Sequence, residues 1–113
     1  MAVTRATGRG KTIITIGSLD ADYYYTTDYP DHINGVGVQK IQVVPSGPGD
    51  SFLLKNASSN GVPIMYCSSL NGFEAQDFGG ERLKVFYDVS DALNVCAASA
   101  NAKIIIHLGG ANV

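Results

Sequence analysis

The run Gly8-Arg9-Gly10-Lys11-Thr12 holds the glycines, lysine and hydroxyl of a phosphate-cradling loop. Such a loop needs GxxxxGK[ST] between a strand and a helix. Arg5 stands where the first glycine is required, and β-branched residues follow Thr12 where a helix should begin. The phosphate-loop reading fails on both points. Asp20, Asp22, Asp28 and Asp31 offer the carboxylate oxygens that a hard cation prefers. A calcium loop also needs a glycine at its sharp turn, where Tyr25 stands, and a closing glutamate, which is missing. A solvated acidic loop is the expectation. His32 and His107 have no metal-ligand spacing, and GxSxG, HExxH and CxxC do not occur. No catalytic, cofactor or metal site is expected, and the chain does not read as an enzyme.

Two groups of residues suit binding better than catalysis. Tyr23, Tyr24, Tyr25 and Tyr29 crowd the acidic stretch. Tyrosine buries a large rigid body and keeps a polar tip, so such a cluster either closes the open end of a core or contacts a sugar or protein neighbour. The second group is N-terminal. Residues 1–11 hold Arg5, Arg9 and Lys11 and no acid, whereas residues 12–113 hold five bases and ten acids. A basic, glycine-containing segment on an acidic body has the pattern of a docking arm or of a disordered terminus. The net charge of −2 provides no long-range attraction to nucleic acid or membrane. Bases and aromatics do not alternate as in nucleic-acid binders, no apolar run approaches a membrane span, and MAVTRATGRGK lacks a signal-like apolar core. The sequon Asn56-Ala57-Ser58 then reads as a polar turn. Cys67 and Cys96 sit in strand-like runs and are expected as buried free thiols; a cross-sheet disulfide stays open.

The elements that must position these residues are short strands. The chain has 113 residues, enough for one domain with its own core. Charged residues make up 16%, below the usual ~25%. That deficit fits a surface partly hidden in an assembly, or one built from Ser, Thr, Asn and Gly. Apolar bursts recur at Lys11–Ile16, Val38–Val44, Ser51–Asn56, Val62–Ser68, Glu81–Val89, Leu93–Ala98 and Lys103–Leu108, with a short one around Tyr23–Thr27. Turn residues separate them: Pro45 to Gly49, Asn60-Gly61, Asn71-Gly72, Gly79-Gly80 and Ser90-Asp91. The spacing predicts an all-β fold, an antiparallel β-sandwich (jelly-roll-like) or a small barrel, over residues 11–109. Residues 1–10 are expected as a flexible basic arm and 110–113 as a tail.

Side chains alternate across a strand. Leu83, Val85, Tyr87 and Val89 share a face, as do Leu93, Val95 and Ala97, and Ile104, Ile106 and Leu108. These faces should line the core. Opposite them lie polar Lys84, Asp88, Asn94, Lys103 and His107, but also apolar Phe86, Cys96 and Ile105. If the three strands are neighbours, the last three form an outer apolar patch, either a subunit contact or a surface covered by the 18–37 segment.

The stretch from Phe52 carries FLLKNASSNGVPIMYCS, NGFEAQDFGGERLKVFYDV and LNVCAASANAKIIIHLG. In this pattern of short strands and Asn/Ser/Ala/Gly hairpins it resembles the small capsid decoration, or cement, proteins of tailed bacteriophages. The resemblance covers roughly the last 60 residues and is one of pattern. It implies a structural virion protein, made in the host cytoplasm, that binds the major capsid protein on the capsid exterior and stabilises contacts between coat subunits. It also implies a homo-oligomer, a dimer fitting a two-fold axis. Arg5, Arg9 and Lys11 would then reach acidic coat surface, while Tyr23, Tyr24, Tyr25 and Tyr29, or Phe86 and Ile105, would make subunit or coat contacts. The alternative is a carbohydrate- or receptor-binding module of a phage tail or fibre, suggested by tyrosines beside aspartates.

Overall fold

The computed structural model describes residues 2–8, 10–17, 21–44, 51–58, 60–68, 74–88 and 103–109. Nine strands run through them: β1 (Ala2–Gly8), β2 (Lys11–Gly17), β3 (Tyr23–Tyr24), β4 (Val36–Val44), β5 (Ser51–Asn56), β6 (Pro63–Ser68), β7 (Glu74–Leu83), β8 (Val85–Tyr87) and β9 (Lys103–Gly109). A single 3-10 turn, Tyr25–Thr27, follows β3. The strands form two antiparallel sheets, one ordered β1-β2-β9-β4-β7 and the other β3-β8-β5-β6. This is an all-β sandwich, as the spacing of apolar bursts and turns requires.

The core comes from strict alternation in β2 and β9. Ile14, Ile16, Ile104, Ile106 and Leu108 are buried, while Ile13, Thr15, Ile105 and His107 are half-buried on the outer face of the same sheet. The four-stranded sheet contributes Tyr23, Leu54, Met65, Val85 and Tyr87 from its inner face. Each fully buried aliphatic or aromatic side chain contributes about 1.5–3 kcal/mol.

Alternation breaks once, in β4. Val36 and Val38 face the core, and so do Ile41 and Val43. Even and odd positions cannot share a face unless one residue is extra. That residue is Gln39. Val38 pairs with Leu108 and Lys40 with His107, so Gln39 bulges out of the β4–β9 ladder. On the other side Val38 pairs with Glu81 and Lys40 with Asp77, so Phe78, Gly79 and Gly80 together oppose Gln39. Gly79 and Gly80 take φ values of 62° and 90°, the left-handed region that glycine enters without strain. The pair marks a bulge inside β7, rather than a turn before it.

The run Glu81–Val89, expected as one strand, divides at Lys84 between two sheets. Leu83 closes β7 and Val85 opens β8, and both are buried. Alternation therefore survives the corner. The Lys84 N–H donates to Asn56 Oδ1 at 2.8 Å, and the Ala57 N–H donates to the Lys84 carbonyl at 2.8 Å. The Asn56 side chain thus satisfies a donor that changing sheets would leave unpaired. Gly35 lies against the same corner with φ 96°; a Cβ there would sit 2.8 Å from the Leu83 carbonyl oxygen.

Three further expectations change. The predicted flexible arm is β1 over Ala2–Gly8, the edge strand paired residue by residue with β2. Gly10, with φ 72°, allows the tight turn that returns Gly8 to Lys11. Phe86 and Ile105 form no common patch, because the Lys84 corner puts Phe86 on the outer face of the four-stranded sheet and Ile105 on that of the five-stranded one. Asp88, expected at the surface, is buried. Residues 45–50, 69–73, 89–102 and 110–113 lie outside the described residues, and with them Cys96, the predicted Leu93–Ala98 strand and the tail; Cys67 lies in β6.

Two substitutions test the corner. Asn56→Ala removes the acceptor for a part-buried N–H and should cost about 1–3 kcal/mol. Gly35→Ala adds backbone strain and a clash, and should cost about 2–3 kcal/mol. Urea unfolding should show both as lower midpoints at unchanged slope.

Candidate binding face

The nine residues expected to make contacts fall into three places, with Arg9 outside the described residues. The first place is the contact between β1 and the segment after β3. Arg5 pairs with Ile14 and lies on the same side of the β1–β2 hairpin, with its side chain 40% exposed. Its guanidinium donates to Asp28 Oδ1 at 2.7 Å and to the Asp28 carbonyl at 3.0 Å, and stands 4.9 Å from the centroid of the Tyr29 ring. Tyr23 donates its hydroxyl to Asp28 Oδ2 at 2.5 Å. Arg5 is therefore a clamp within the chain, a correction to its expected role in a reaching arm. The sequence reading missed Asp28 because it grouped the aspartates with one another rather than with a base 23 positions away.

Tyr23 and Tyr25 are core residues, each 2% exposed. The Tyr25 hydroxyl donates to the His32 carbonyl. Burial, then the hydrogen bond and negative charge of Asp28, push the Tyr23 phenol far above its usual range. Tyr29 is half-buried between Arg5 and the His32 ring, whose centroid is 5.3 Å away. The tyrosine set thus closes the core, which leaves few rings for stacking on a sugar.

The second place is the outer face of the four-stranded sheet. Tyr24 packs edge-on against Phe86, with ring centroids 5.9 Å apart. Tyr24 is the cross-strand partner of Phe86, so the two rings stand side by side on this face, both half-buried.

The third place is the outer face of the five-stranded sheet, where Lys11 and Ile105 lie. The register maps this face in rows. One row runs Ala6, Ile13, His107, Lys40, Asp77 across all five strands. The next runs Thr4, Thr15, Ile105, Gln42, Ala75. Lys11 pairs with Gly109 at one end, and Lys103 with Val44 at the other. Three of the chain's five lysines therefore frame a half-buried band of Ile13, Thr15, Ile105 and Val44. His107 Nε2 lies 2.7 Å from Gln42 Oε1. The amide oxygen accepts, which puts the proton on Nε2 and makes Nδ1 the nitrogen that gains one on acidification. Burial lowers the His107 pKa, and nearby Lys40 and Lys11 push it the same way. No set of three metal-ligating side chains occurs among the described residues. The sequence reading singled out Lys11 and Ile105 but missed Lys40, Gln39 and Gln42, which the bulge brings to this face.

Comparison with protein families, curated proteins and solved structures finds no match.

The Tyr23–Asp28 bond sets a stability expectation. Tyr23→Phe should cost about 1.5–3 kcal/mol, the range for a hydrogen bond to a charged acceptor. A phenol pKa raised by folding gives stability that is full below the ordinary value near 10 and falls as pH climbs above it. Denaturant unfolding from about pH 8 to 11 should show that fall, and Tyr23→Phe should flatten it. The smaller contribution of Tyr24, also raised by burial, should remain.

Proposed function

We propose that this protein is an accessory structural protein that docks the outer face of its five-stranded sheet on an acidic protein surface. The proposed surface is the exterior of a tailed-phage capsid, where the protein would stabilise contacts between coat subunits. The observation that carries the docking reading is the face itself. Lys11, Lys40 and Lys103 surround half-buried Ile13, Ile105 and Val44 on a chain whose net charge is −2. An apolar centre with charges at its margin suits a protein interface, where the centre supplies desolvation and the rim supplies orientation and encounter rate. The resemblance of the stretch from Phe52 to decoration proteins supplies the identity of the partner.

The physics suits that role. A clamp bound to an assembled shell adds contact free energy that separate coat subunits cannot gain. Each contact can be weak if one copy engages two subunits, because the second engagement is intramolecular. A dimer at a two-fold axis would repeat the same face on both halves. The docking determinant differs from the expected arm, since Arg5 is held by Asp28 and the basic face is formed by β2, β4 and β9.

The test is co-sedimentation with mature capsid shells from the source of this chain, stripped of accessory proteins. Pelleting should saturate at a fixed ratio to coat protein and weaken with added salt. Lys40→Glu with Lys103→Glu should weaken it about tenfold or more, since like charges would then face each other. Absence of pelleting by the native chain would refute the capsid assignment. Undiminished pelleting by the charge-reversed variant would refute the docking face.

A further inference from the structure

We infer that the bulged end of this face is a binding pocket for a carboxylate, fitted to an aspartate or glutamate side chain on a short acidic peptide segment. The inference deepens the docking reading and rests on it only for which protein carries the segment. A cavity of about 580 Å³ opens across β2, β9, β4 and β7. Its polar lining is Lys11, Thr12, Gln39, Lys40, Asp77 and His107. This volume falls in the range of small-ligand sites, about 300–1,000 Å³, and exceeds the needs of one carboxylate. It suits a few residues of chain.

The cavity follows from the register. Lys40 is flanked across the strands by His107 and Asp77, and His107 by Ile13. The adjoining positions carry no side chain: Gly10, Gly79 and Gly109 line the same space. A Cβ on Gly109 would stand 2.6 Å from Gln39 Nε2, and one on Gly80 would stand 3.3 Å from the same atom. The Gln39 amide therefore occupies the room these glycines leave, with its donor nitrogen at the pocket's edge. Bulge and glycines together place an amide donor in a concave site that Lys11 and Lys40 also line.

The charge balance selects the ligand. Lys11 and Lys40 against Asp77 leave a single net positive charge while His107 is neutral. One carboxylate matches that charge. A run of phosphates would meet Asp77 with the wrong sign. The charged groups near His107 are Lys11 from β2 and Lys40 from β4, with Asp77 of β7 beyond Lys40, while Gln42 of β4 accepts from its Nε2. A bound carboxylate offsets the two lysines and favours the imidazolium, so binding takes up a proton and strengthens as pH falls.

The experiment uses the full chain, 15N-labelled, titrated with a capped pentapeptide of glycine and serine around one glutamate, with the glutamine peptide as control. Saturable shifts are expected at the amides of Gly10, Lys40, Gly79 and Gly109. Lys40→Gln should weaken binding about fivefold or more, and Asp77→Asn should tighten it. Lowering pH from about 7.5 to 5.5 should strengthen binding in the native chain and not in His107→Gln. The spectrum of each variant reports whether it is folded. No shift at these amides at about 10 mM peptide, well beyond millimolar affinity, overturns the inference. So does unchanged affinity in folded Lys40→Gln, or binding of a duplex oligonucleotide in preference to the peptide. The capsid assay separates the two proposals: peptide binding without pelleting refutes the capsid assignment and keeps the pocket, and pelleting without peptide binding does the reverse.

Discussion

One extra residue in one strand governs this molecule. The inward side chains of β4 change from even to odd positions between Val38 and Ile41, and Gln39 absorbs the difference. A strand has a side-chain period of two, so without that insertion one half of β4 would turn its valines or its isoleucine to solvent. The bulge keeps Val36, Val38, Ile41 and Val43 in a single core. It also fixes what the opposite face shows. Lys40 stands between His107 and Asp77, and Gln39 lies over Gly109. The requirement that fills the core therefore shapes the pocket behind it.

The second constraint is the corner at Lys84. A sandwich must pass its chain between sheets without stranding backbone donors. Here the Asn56 side chain and the Ala57 N–H receive the crossing chain, and Gly35 lets a neighbouring segment approach it closely. Because the crossing preserves alternation, Leu83, Val85 and Tyr87 all face inward although they belong to two sheets. The cost is that Phe86 leaves the face that carries Ile105.

Charge is partitioned by the same framework. Asp28 is consumed inside the molecule by Arg5 and Tyr23, which fastens the edge strand β1 to the segment after β3. Arg5 and Lys11, close in sequence, therefore have opposite fates. One lies on the inner side of the β1–β2 hairpin and the other on its outer side. The outer sheet face keeps Lys11, Lys40 and Lys103 around a half-buried aliphatic band.

The alternation of Ile104, Ile106 and Leu108 was legible in the residues, and so were the β-branched run Lys11–Ile16, the hairpin at Asn60-Gly61 and the all-β class. Each rests on local periodicity or turn chemistry, which neighbouring residues settle among themselves. The β1 strand was not legible: Gly8 and Gly10 among small polar and basic residues read as flexibility until β2 is there to pair with. Tertiary structure alone decided that Glu81–Val89 splits at Lys84, that Arg5 finds Asp28, and that Tyr23 and Tyr25 are core. It alone put Gln39, Lys40, His107 and Asp77 side by side. Those facts depend on strand order and register between distant segments, and the energy that selects an order is shared over the whole core. A single strand's pattern says which side faces inward; only the assembled sheets say which residues become neighbours on the side that faces out.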